Sequence, residues 1–255
     1  MSKVMTDDEL IEHISNSLEK IETMLHTLRT SEHPSDRQKS MKVAYWLNSY
    51  ADYVLNERTF NAKNLPSYEY RSIINVDFGF RLGSEIGGWH YAVILDKRNN
   101  RTGDTITVVP LMSVKPHTKT NNYMIVLPEG VYAAFDRKLS NRYHACMKIL
   151  EDARQEIEKI KAEPDVNMRR VLIEEIDIKK DRAVEVLNEC KEISKQISSL
   201  KSGTVANVGQ ITTISKRRIL NPKSHKDTLY NIKLSQDEMI LIQDAIKRLY
   251  IKDAK

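Results

Sequence analysis

The stretch GSEIGGWH brings an acid, Glu85, and an imidazole, His90, to the two ends of a glycine loop. Ser113 closes a later strand-like run, TITVVPLMS, and the basic stretch VKPHTK follows it at 114–119. An acid, an imidazole and a hydroxyl beside cations are the groups that general acid–base work on a phosphodiester uses. Gly79, Gly83, Gly87 and Gly88 are half of the chain's eight glycines. Glycine permits positive φ and close approach of another backbone or a ligand. Phosphate-cradling loops of the dinucleotide or P-loop kind need a helix after the glycines. A strand-like run follows here, so the loop belongs to another class.

The elements must bring these groups together. Runs at 72–78, 90–96 and 105–113 are short and β-branched, with turn residues between them, and 122–128 is a fourth strand candidate. If 90–96 and 105–113 pair antiparallel, the start of one lies beside the end of the other. His90 and Ser113 then meet at one sheet end, next to the Glu85 loop. A second basic run, SKRRILNPKSHK (215–226), supplies Lys216 and Arg218, which with Lys115, His117 and Lys119 make a phosphate-tracking surface. Each feature also has a plainer reading: a bent hairpin, a surface histidine, a solvated loop.

Helical periodicity flanks and interrupts the strands. At 6–31 Thr6 is the N-cap, and Leu10, Ile14, Leu18, Ile21, Leu25 and Leu28 form an apolar face. A second helix covers 36–56, with Met41, Ala44, Leu47, Tyr50 and Val54 as its buried face, and 61–67 reads as a linker. From Arg137 two runs of three- and four-residue period flank AEPDVN (162–167), the pattern of an antiparallel coiled-coil hairpin. Its mirror point near 165 sets Cys146 opposite about residue 184, so Cys190 is out of register and the two cysteines are core fillers. Strand character resumes at 203–214 and 228–234, and Ser235 with Glu238 forms a capping box for a last helix.

The totals suit this plan. The chain has 255 residues, 29% charged and 40% hydrophobic, with a net charge of +5. That is the mix of a globular chain of one or two domains, for which an anionic partner is possible but not required. Two cysteines cannot make a disulfide scaffold, and no Cys/His spacing fits zinc. The absence of a signal-like or spanning apolar run points to a cytoplasmic protein that does not enter a membrane.

Three segments in order, INVDFGFRLGSEIGGWHYAVIL, TVVPLMS and VGQITTISKRRI, resemble the MazF/PemK toxins of bacterial toxin–antitoxin systems. That family carries a V-D-F strand, a G-S-E-x-G-G-x-R-P-A-V-V loop and strand, a strand end like V-x-P-I-T-S, and an E-Q-I-R-T-I-D-K-x-R-L segment. The likeness covers about 71–128 and 203–250. It implies an α+β fold with a small SH3-like β-barrel at 66–136 and 203–255. A helical N-terminal extension at 1–65 and an inserted helical hairpin at 137–202 lie outside it. It implies metal-independent cleavage of single-stranded mRNA by attack of the 2′-hydroxyl, leaving 2′,3′-cyclic phosphate and 5′-hydroxyl ends. No cofactor is implied; a homodimer and a cognate antitoxin are.

Carried over by position, the family's loop acid falls on Glu85, its catalytic arginine on His90 and its strand-end threonine on Ser113. Its glutamine falls on Gln210, the next arginine on Thr212, and the basic residues on Lys216 and Arg218. Gly83, Gly87 and Gly88 are expected to form a flexible lip over the RNA groove, with Gly87 and Gly88 contacting RNA. His90 replaces the arginine and Tyr91 the usual proline. A histidine transfers protons more readily but stabilises a phosphorane only when charged. The alternative is a catalytically altered RNA- or protein-binding module acting through the added helices. Those helices could equally enlarge the core, mediate dimerisation or inhibit the toxin in cis.

Overall fold

The computed structural model describes residues 5–114, 120–200 and 203–252. The fold class is α+β, with an antiparallel sheet and five α-helices among the described residues. The chain divides into two compact units, 1–60 with 77–89, and 61–76 with 90–255. The glycine loop therefore groups with the N-terminal helices.

In the first unit α1 spans Asp7–Thr30 and α2 spans Pro34–Leu55. Thr6 caps α1 through a full capping box with Glu9. The apolar face of α1 is only partly covered: Leu10, Ile14 and Leu18 are exposed, whereas Ile21, Leu25 and Leu28 are half-buried. α2 presents a different face from the expected one. Ser40 and Val43 are buried, whereas Met41, Tyr50 and Val54 are exposed. The aromatic residues explain the rotation. Trp46 packs against Tyr50 and Tyr53 at ring-centroid distances of 5.7 and 6.2 Å. The Tyr53 hydroxyl donates to Asp77 at 3.2 Å. A half-buried ring whose hydroxyl has a buried partner fixes the helix face more strongly than aliphatic spacing.

In the second unit the sheet runs β4-β5-β3-β2-β1-β7, and β6 pairs the free part of β3. The strands are β1 Ile73–Asp77, β2 Trp89–Ile94, β3 Thr105–Ser113, β4 Met124–Leu127, β5 Thr204–Asn207, β6 Thr212–Ser215 and β7 Ile219–Asn221. The sheet is open along this path, with β4 and β7 at its ends. The expected strand over 203–214 is split in two. β5 pairs β3 at 111–113, β6 pairs it at 105–108, and a 3-10 turn, Val208–Gln210, lies between. Pro110 stands in that gap, where it owes no N–H to a neighbour. The expected strand at 228–234 is instead a turn region with one isolated bridge, Ser72 to Lys233. The strand character lies earlier, in β7, within the basic run. The expected linker is also structured: Ala62 and Tyr68 are buried, and the Tyr68 hydroxyl donates to the Pro222 carbonyl.

Period-two alternation gives both faces of the sheet an apolar row. Ile73, Val93, Val109 and Leu111 pack with Val131, Phe135, Ile193, Met239 and Ile242 from three helices. Those helices are α3 Gly130–Ala162, α4 Val166–Ser199 and α5 Gln236–Tyr250. On the other face Ile74, Val76, Ala92, Ile94, Ile106 and Val108 are buried. α3 starts seven residues before Arg137, because the Gly130 and Val131 N–H groups find acceptors in Glu238 and Thr204. The α3–α4 hairpin has the expected register. Cys146 Sγ lies 3.9 Å from the Ala183 carbonyl, and both cysteines are free.

One lysine of α3 makes the fold pH-dependent. Lys138 Nζ donates to the Thr228 and Tyr230 carbonyls, each at 2.8 Å. Burial, with Arg142 nearby, lowers its pKa to about 8 from 10.5, against the pull of Glu189. Between those two values the unfolded chain holds the proton that the folded chain has lost, so stability rises with pH across that window. Urea midpoints measured from pH 8 upward should show the rise. Lys138→Met should remove that part of it.

Candidate functional site

The glycine loop is closed at its base by its own backbone. Phe78 N–H donates to the Gly88 carbonyl at 2.8 Å, and Gly88 N–H to the Gly79 carbonyl at 2.7 Å. Asp77, buried, accepts from Gly79 N–H at 2.9 Å as well as from Tyr53. A Cβ on Gly87 would stand 2.7 Å from the Gly79 carbonyl oxygen, so the base of the loop has no room for one. Gly87 and Gly88 thus build the loop's foot, and the exposed tip is Leu82–Glu85. Glu85 there makes an ion pair with Arg81 at 3.8 Å, and Arg81 Nε donates to the Phe78 carbonyl.

His90 follows the loop directly, in β2. Two ladders fix its row. Tyr91 pairs Leu111 on β3, the last pair of that ladder, and one further step along both strands sets His90 opposite Met112. Ile94 N–H donates to the carbonyl of Ser72, just before β1, so stepping along the antiparallel strands sets His90 beside Val76. Val76 in turn pairs Ile219 on β7. His90 and Ser113 therefore share a sheet end, but alternation sends their side chains to opposite faces. Ser113 belongs to the helix-covered face, in a small cleft with Tyr91, Val131, Tyr132 and Thr204. The β3 side chain in the His90 row is Met112, a thioether with no proton to give.

Arg218 does come to the His90 end, since it precedes Ile219 in the third strand of that row. Strands lie about 4.8 Å apart, so the two backbones are roughly 10 Å from each other. Lys216 does not. It is 2% exposed, its Nζ donates to the Asn100 carbonyl at 2.8 Å, and its N–H to the Asp104 carbonyl. Burial lowers its pKa, with Asp104 and Asp96 opposing. It locks the β2–β3 turn at the far end of β3, roughly 25 Å from Ser113 at strand rise. Gln210 and Thr212 are half-buried beside the middle of β3. Lys115, His117 and Lys119 lie outside the described residues.

No family model matches the chain, and no curated protein is significantly similar to it.

A group of residues that the sequence reading passed over is more conspicuous. A cavity of about 590 Å³ in the first unit is lined by Lys42, Tyr45, Trp46 and Ser49 of α2 and by Asp77, Arg81 and Trp89 of the loop. The α2 residues recur at steps of three and four, a polar–aromatic stripe that was visible in the sequence. The aliphatic stripe beside it gives the stronger periodic signal. Among the described residues no three His, Cys, Asp or Glu side chains are grouped as a metal site would need. No described helix is long and apolar enough to cross a membrane.

Proposed function

We propose that this chain is a MazF/PemK-like toxin module that cleaves single-stranded RNA without a metal. The observation that carries the reading is the row of His90, Val76 and Ile219, which brings the Arg218 backbone to roughly 10 Å from that of His90 at the sheet end where the glycine loop rejoins β2. An imidazole can take the 2′-hydroxyl proton as that oxygen bonds to phosphorus, a guanidinium can offset the charge that grows on the phosphorane, and the 5′-oxygen takes a proton from water as the P–O5′ bond breaks. Strand order also supports an SH3-like arrangement: β6 on β3 and β7 on β1 are joined by three residues, Lys216–Arg218. Ser113, turned to the helix side, takes no part in proton transfer in this scheme. Glu85 holds Arg81 and shapes the loop. A cognate antitoxin and a second copy of the chain are the protein partners. The exposed apolar residues of the first half of α1, Leu10, Ile14 and Leu18, are available to either.

Met112 in the His90 row favours a second reading, an RNA- or protein-binding module of the same fold that has lost cleavage. Purified protein incubated with unstructured RNA in EDTA separates the two. Cleavage leaving 2′,3′-cyclic phosphate and 5′-hydroxyl ends is expected, and His90→Ala should slow it by about 10²–10⁴-fold. Cleavage indifferent to His90→Ala would sink the catalytic assignment. Binding without cleavage would establish the second reading.

A further inference from the structure

We propose that the cavity between α2 and the glycine loop binds a base and its phosphate from single-stranded RNA. This rests on the RNA-acting reading and adds a subsite built on a helix outside the family likeness. The volume, about 590 Å³, falls within the roughly 300–1,000 Å³ of small-ligand sites. Its walls carry two large aromatic rings that are mostly in water: Tyr45 is 70% exposed and Trp89 73%. Single-stranded bases stack on such rings, and the stacking tolerates sequence because every base has a π face.

The charges select the same ligand. Lys42 and Arg81 bring two cations to the wall. The lining acid, Asp77, is buried and held by Gly79 N–H and Tyr53. Glu85 neutralises part of Arg81 at 3.8 Å. The site therefore combines aromatic faces with a positive rim, which suits a flat ring carrying a phosphate better than an aliphatic ligand. An acidic peptide would use the cations and leave the rings idle. Trp46 forms the floor against Gly79, where α2 and the loop meet.

Trp46 and Trp89 are the two tryptophans of the chain, and both line the cavity. Tryptophan fluorescence, excited selectively over the eleven tyrosines, thus reports on this site. The full chain is titrated with a labelled single-stranded 2′-O-methyl oligonucleotide, which lacks the attacking hydroxyl, and with its duplex as control. Quenching and label anisotropy are read together. Saturable quenching by the single strand is expected, with little from the duplex. Tyr45→Ala and Trp89→Leu should each weaken binding about tenfold, and in Trp89→Leu the remaining Trp46 signal should still respond. Lys42→Ala should reduce the salt slope by about one. All three side chains are exposed, so the variants are expected to fold. Anisotropy binding without quenching, unchanged in Tyr45→Ala and Trp89→Leu, would overturn the pocket and leave the RNA reading standing. No binding to any strand would overturn the pocket. Pocket binding by a wild-type protein that leaves natural RNA intact would remove only the nuclease reading.

Discussion

Glu238→Ala is expected to destabilise the protein by about 3 kcal/mol. The carboxylate is 2% exposed. One oxygen accepts from Gly130 N–H and from Glu129 N–H at 3.2 Å, at the start of α3. The other accepts from Ser235 N–H at 3.2 Å and from its hydroxyl at 3.1 Å, completing the capping box of α5. A single anion thus satisfies the first turns of two helices, where both macrodipoles favour negative charge. Alanine leaves buried donors without acceptors, each costing about 1–3 kcal/mol. Glu238→Gln retains an acceptor oxygen and should lose about half as much. Urea unfolding at constant m-value measures both. A loss below about 1 kcal/mol for alanine would contradict the two-helix role.

Gly79→Ala should have an effect of similar size, confined to the first unit. The residue has a φ of +73°, and an added Cβ would stand 2.7 Å from two Trp46 ring atoms. Strain at positive φ costs about 1 kcal/mol or more, and overpacking a rigid ring adds about 1–3 kcal/mol. The ring cannot swing aside cheaply, because Tyr50 and Tyr53 pack against it. The expected outcome is a shifted tryptophan emission spectrum and faster proteolysis within 77–89. RNA affinity should fall with it if the cavity is the subsite proposed above. An unchanged spectrum would mean that α2 does not rest on Gly79.

Much of the local structure could be read from the chain alone. The Thr6 N-cap and the Ser235–Glu238 capping box follow from short-range hydrogen bonding, which needs no distant partner. The helical hairpin turned where its proline and mirror symmetry required, with Cys146 beside Ala183. β3 matched its expected range because alternation, β-branching and flanking turns agree there. The misread elements were those whose identity depends on a neighbour. β7 is three residues long, and pairing with β1 is what makes it a strand. Val208–Gln210 interrupts a strand-like run because β3 changes its partner at Pro110.

The same distinction governs the candidate site. The sequence alone determined that an acid, a glycine loop and a histidine adjoin, and that His90 begins a strand, since these are relations between near neighbours. Tertiary structure decided which of the more distant groups could join them. Register set the Arg218 backbone at the same sheet end as His90, strand alternation turned Ser113 to the other face, and burial converted Lys216 from a phosphate contact into a clamp on the Asn100 carbonyl. The folding of α2 against the glycine loop then set Lys42, Tyr45 and Trp89 around one cavity. Composition constrains which groups are present; only the pairing of residues far apart in the chain determines which of them face the same space.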